Sequence, residues 1–185
     1  MSRTLERLVE ELRADGGLLA AALDGDPRPP PAAATGGPAG PPGPGAIAAA
    51  GPRAAVDPAE YELLIEAIHE GYLLHYGEPR ILAGAETDLR LLAGDRLFAA
   101  GLERLVALGD VPAVRELADV ISLCALVHAR GAGELAESVW TAGARAVGWG
   151  ATDAYAEAKA LLMAGDARGP AALRAVAGAT VTPTG

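Results

Sequence analysis

Glu66-Ala-Ile-His69 sets a carboxylate and an imidazole at the spacing with which di-iron helical bundles hold their metal. Such a centre needs a second Glu-x-x-His unit and two further carboxylates aimed at one interior point. Neither His75 nor His128, the other two histidines, follows a Glu at that spacing. Glu62, Glu66, His69 and Glu70 share one polar helix face, opposite a core stripe of Tyr61, Leu64, Ile65, Ile68 and Tyr72. A solvated or subunit-facing surface is the expected use of that face. His69 and His75 fall on different faces and do not form the i, i+4 pair of a zinc site. His128, near a helix C-terminus, suits the helix dipole when charged. Ser122 and Cys124 have no triad setting, and Ser138 lacks a Gly-x-Ser-x-Gly elbow. Cys124, the single cysteine, reads as a small buried hydrophobe. Asp95 stands in a largely apolar helix, where an arginine such as Arg96 or Arg104, or solvent, is its expected partner. Gly94 beside it costs about 1 kcal/mol against Ala inside a helix, which argues for close packing against a neighbouring helix. Trp140 and Trp149 are expected to anchor the last helices or to serve an interface.

The elements that carry these residues are all helical. Ala and Leu dominate an apolar fraction of 51%, whereas aromatics make up 4%, a composition that favours helix over strand. Residues 1–24 hold a short amphipathic helix with Leu5, Leu8, Val9 and Leu12 at helical spacing and Thr4 as a cap. From 25 to 56 the chain runs to Pro, Gly and Ala. It has too little side chain to offset ordering entropy and reads as a disordered linker. Asp57-Pro58-Ala-Glu60 then opens a helical domain over 57–178 with a cap, a Pro at the first helical position and a Glu at the third. Further helices are expected from Thr87 or Asp88 to Gly109, from Asp110 or Pro112 to about Arg130, over Glu134–Val147, over Asp153–Ala164 and over Pro170–Ala177. Short connections make this an antiparallel bundle, and 179–185 a frayed tail.

Charge and composition exclude several classes. A net charge of −9 disfavours nucleic acid, which requires clustered Lys and Arg, and anionic lipid, which draws on polybasic segments. Eighteen consecutive apolar residues occur nowhere, so a transmembrane segment is not expected. Glu6, Glu10 and Glu11 rule out a signal peptide, and the expected location is cytoplasmic. No Gly-rich loop ends in Gly-Lys-Ser/Thr, so nucleotide binding has no support.

The run Glu66-Ala-Ile-His69, Leu73 and His75, followed by Leu91-Leu-Ala-Gly94-Asp95-Arg-Leu-Phe98, resembles the all-trans polyprenyl diphosphate synthase family. There a Glu-x-x-His-x-x-x-Leu-x-His segment runs into Asp-Asp-x-x-Asp, and a Leu-x-Gly-Asp-x-Leu helix follows. The likeness spans roughly residues 60–130 and implies an all-α fold. It also implies isoprenoid chemistry in which Mg²⁺ holds an allylic diphosphate between two aspartate-rich motifs. In this chain the three carboxylate positions read Tyr76, Gly77 and Arg80, and residues 81–86 lack the arginine pair that holds diphosphate. Mg²⁺ is a hard cation that bridges carboxylate to phosphate, so the resemblance implies a chain without catalytic, cofactor-binding or metal-ligating residues. It is similar to the degenerate small subunits of heteromeric synthases, which bind a catalytic subunit and help set product length. The expected partner is therefore a catalytic prenyl synthase subunit. The alternative expectation is a free-standing helical interaction module or a homodimer unrelated to isoprenoids.

Overall fold

A computed structural model describes residues 3–25 and 41–179. Among them no strand occurs, and the chain is all-α. Helices α1 (Arg3–Asp15), α2 (Gly17–Gly25) and α3 (Pro44–Ala49) precede α4 (Pro58–Tyr76), α5 (Thr87–Ala107) and α6 (Val111–Ala129). Helices α7 (Ala136–Trp149), α8 (Asp153–Ala164) and α9 (Gly169–Gly178) complete the bundle. The expected tail over 180–185 and the stretch 26–40 lie outside the described residues.

Local chemistry fixes the helix starts. The Asp57 carboxylate accepts from Glu60 N and caps α4, with Pro58 at the first position. Asp110 does the same for α6 through Ala113 N, and Thr152 caps α8 through Tyr155 N. Each satisfies one amide that the helix itself leaves without a partner. Thr4, expected as a cap, instead donates to Glu62 Oε1 at 2.6 Å and so ties α1 to α4.

Helix α4 is the spine. It is apolar on more than one side, as a helix buried between layers must be. Leu64, Ile65 and Ile68 face a core built with α6, α7, α8 and α9. Leu63, Ala67 and Leu74 face a second cluster made with Leu5, Leu8, Val9 and Leu12 of α1, Leu23 of α2 and Leu97 of α5. The amphipathic N-terminal helix thus lies on α4 rather than apart from it. Arg104 of α5 reinforces this seam by pairing with both Glu11 and Glu60.

Helices α4 and α5 run antiparallel and almost touch. A Cβ on Gly94 would lie 2.5 Å from His75 Cδ2 and 3.0 Å from Gly71 O. The packing expected from Gly94 is therefore present, and its partner is Gly71.

Residues 41–56 correct the linker expectation. They form α3 and a 3₁₀ turn over Pro52–Ala54, with Ala48 and Ala54 fully buried. The physical reason is backbone approach. A Cβ on Gly51 would lie 2.2 Å from Gly148 O, a contact that only residues without side chains permit. Arg53 then donates to Val147 O at 3.1 Å and to Asp110 Oδ1 at 2.8 Å.

Candidate functional site

The acidic face of α4 is not a solvated surface, contrary to the sequence expectation. Glu70 is 0% and Glu66 6% exposed. The chain leaves α4 at Gly77, turns back, and inserts Arg80 between them. Arg80 Nε lies 2.7 Å from Glu70 Oε2, and Arg80 Nη1 lies 2.7 Å from Glu66 Oε2. The remaining oxygens are also engaged. Glu70 Oε1 accepts from the backbone N–H of Arg80 at 2.6 Å and of Ile81 at 2.9 Å. Glu66 Oε1 accepts from Gly45 N of α3 at 3.1 Å. Burial works against the Arg80 charge, yet the adjoining Glu70 and Glu66 carboxylates outweigh it and hold its pKa above the ordinary arginine value. Leu82, two residues on, is 1% exposed and sits at φ 54. A left-handed leucine costs roughly 1–2 kcal/mol, which the packing of its side chain must offset.

Two carboxylates and one guanidinium leave a buried group of formal charge −1, and no carboxylate oxygen of the pair is open. The Mg²⁺ implied by the family resemblance does not fit here, because Arg80 puts a cation at one of the motif's carboxylate positions and engages the nearest acids, Glu66 and Glu70. Tyr76 and Gly77 add no ligand. Among the described residues no three His, Cys, Asp or Glu side chains are placed to share a metal.

The three histidines meet in a seam of rings between α4, α5, α6 and α7, which the sequence spacing did not suggest. His69 packs edge-on against Trp140 with centroids 4.8 Å apart. Tyr72 Oη and His128 Nε2 share a hydrogen bond at 3.1 Å, and His128 stacks on Tyr76 at 4.6 Å. His128 therefore serves ring packing rather than only the helix dipole. His75 stacks on Phe98 at 5.3 Å. Its Nε2 lies 3.1 Å from Asp95 Oδ1, at an angle that makes no hydrogen bond. Asp95 thus faces His75 and solvent rather than an arginine. Burial pushes the His69 imidazole down to about 4, so it is neutral at pH 7. Burial likewise raises the Tyr72 phenol.

Nucleophiles are disarmed. The Cys124 thiol is buried and pushed up to about 12, and Ser122 donates to Ala118 O in its own helix. What the arrangement offers is binding surface. Beside the ring seam a cleft of about 790 Å³ opens between α3, α4, α7 and the end of α9. Ile47, His69, Tyr72, Trp140 and Trp149 line its walls, and Glu137 and Arg145 stand at opposite charge. Trp140 fulfils the anchoring role expected of it, and Trp149 stays half-buried.

Comparison with protein-family models, with curated proteins and with solved structures finds no match to this chain.

Proposed function

We propose that this chain is a non-catalytic accessory subunit of a polyprenyl diphosphate synthase, acting by packing its helices against the catalytic subunit. The observation that carries the reading is Arg80. It stands at the last carboxylate position of the resembling motif, and its guanidinium is ion-paired to Glu66 and Glu70. A fixed monovalent cation occupies the acids of the helix, where divalent metal chemistry requires open carboxylate oxygens. The scaffold keeps its packing while losing the means to hold a diphosphate.

A packing surface is also available. Leu91, Leu92 and Val106 of α5 and Val111 of α6 are exposed large apolar side chains. Leu91 and Leu92 lie near the start of α5 and Val106 and Val111 at and beyond its end, so a partner helix lying along α5 would cover both pairs. The apolar face of α1 is already used within the chain, with Leu5, Leu8, Val9 and Leu12 buried against its own helices.

Co-expression with a complete polyprenyl diphosphate synthase from the same genome is the test. The account expects one co-purifying complex, weakened when Leu92→Asp and Val106→Asp are combined. Two separate gel-filtration peaks at micromolar concentration would end it. A stable dimer of this chain alone, unchanged by the synthase, would favour the homodimer.

A further inference from the structure

The cleft between α3, α4 and α7 has features that its packing role leaves unexplained. Its volume of about 790 Å³ falls in the range of small-molecule sites, roughly 300–1,000 Å³. Its lining includes the aromatic residues Tyr72 on α4 and Trp140 and Trp149 on α7, with Ile47 and Pro44 of α3. Two polar ring atoms of residues that line it, Trp140 Nε1 and His69 Nδ1, are buried and make no hydrogen bond. Trp140 as a whole is 3% exposed. A buried N–H without an acceptor costs on the order of 1–3 kcal/mol, and such atoms call for an explanation.

Charge around the cleft narrows the ligand class. Among the described residues that line it, Glu137 and Arg145 are the ionised side chains, of opposite sign on one helix. Arg145 Nη1 is committed to the carbonyls of Val176, Ala177 and Ala179 at 3.2, 2.5 and 2.7 Å. The His69 imidazole is held neutral, and no net charge selects an ion. We infer that this cleft binds an uncharged, flat ring compound carrying a carbonyl or ether oxygen. The rings of Tyr72 and Trp140 supply the apolar wall, and the oxygen becomes the missing acceptor for Trp140 Nε1–H. The rings of His69 and Tyr72 lie against the indole at centroid distances of 4.8 and 5.8 Å. They must shift slightly to admit that oxygen. The inference is independent of any protein partner.

The chain has two tryptophans and both line the cleft, so every indole N–H resonance of the full-length protein reports on it. The probe is 1-tetralone, with tetralin, 1-aminotetralin and tetralin-1-carboxylate as hydrocarbon, cationic and anionic counterparts. Titration followed by ¹H–¹⁵N correlation spectra, with Trp149→Phe to assign the peaks, is expected to move the Trp140 indole N–H downfield. The ketone should bind several-fold more tightly than tetralin and at least about tenfold more tightly than either ion, a gap of about 1.4 kcal/mol. Trp140→Phe should remove the preference for ketone over hydrocarbon. Ala46→Trp, on the exposed wall of α3, should block binding without touching the core. Unmoved indole resonances at saturating 1-tetralone would overturn the inference. So would equal binding of the ionic counterparts, or undiminished binding to Ala46→Trp.

Discussion

Arg80 is the side chain on which burial of the α4 acids depends. Removing one partner from a buried ionic group typically costs 3–5 kcal/mol, because the remaining charge stays in the interior. Arg80→Ala should therefore lower the unfolding free energy by about that amount in a denaturant titration, whereas Arg168→Ala, in a surface pair with Asp166, should change little. A loss below 1 kcal/mol for Arg80→Ala would mean that Glu70 reaches water. His69 gives a pH test. Its pKa in the fold is about 4, against an ordinary value near 6.5, so the unfolded chain binds the extra proton between those values. Its contribution to stability is complete above about pH 6.5 and is lost as pH falls toward 4. This group alone predicts a drop of about 2 kcal/mol between pH 7 and pH 5. His69→Phe should flatten that part of the profile, and a mutant profile parallel to the parent's would refute the assignment. Neither residue's role was legible beforehand. Glu66 and Glu70 read as a surface because helical periodicity places them opposite the apolar stripe. Arg80 reaches them only through the turn after Gly77, and the partners of His69 and His128 come from other helices. Contacts across elements leave no periodic trace in a single chain.

At the scale of elements, sequence reasoning fared better because helix starts and stops are local. Asp57, Asp110 and Thr152 make the capping bonds that their residue types favour, and glycines end α7 and α8. Gly94, suspect in mid-helix, marks the contact with Gly71 of α4. Gly94→Ala should gain about 1 kcal/mol of helix propensity and lose about 1–3 kcal/mol to overpacking against His75 and the Gly71 carbonyl. A net fall in thermal stability is expected, and a rise would show that α4 and α5 can separate freely. Helix α3 was hidden for the opposite reason. Its Gly, Ala and Pro content resembles a linker, because what stabilises it is close backbone contact with α4 and α7 rather than large side chains. The same small residues that weaken a helix in isolation allow this approach: a Cβ on Gly45 would lie 2.7 Å from Glu62 O of α4, and one on Gly148 of α7 would lie 2.5 Å from Ala48 O.

Over the whole molecule, two apolar clusters share α4, one toward α6 to α9 and one toward α1 and α2. Deleting residues 1–25 would uncover Leu63, Leu74 and Leu97 and strip Arg104 of Glu11. After ordering entropy is subtracted from the burial of five large side chains, a loss of about 2–4 kcal/mol is expected. It should show as a lower melting temperature and increased binding of a hydrophobic dye. An unchanged melt would mean that α1 contributes nothing to the fold. Among the described residues no helix is long and apolar enough to cross a membrane. The accessory-subunit proposal rests on the motif's carboxylate positions, Tyr76, Gly77 and Arg80, holding no divalent metal. Isothermal titration of the full chain with Mg²⁺ plus an allylic diphosphate tests this most directly. The account predicts no saturable heat at millimolar Mg²⁺; stoichiometric, metal-dependent uptake of the diphosphate would contradict it.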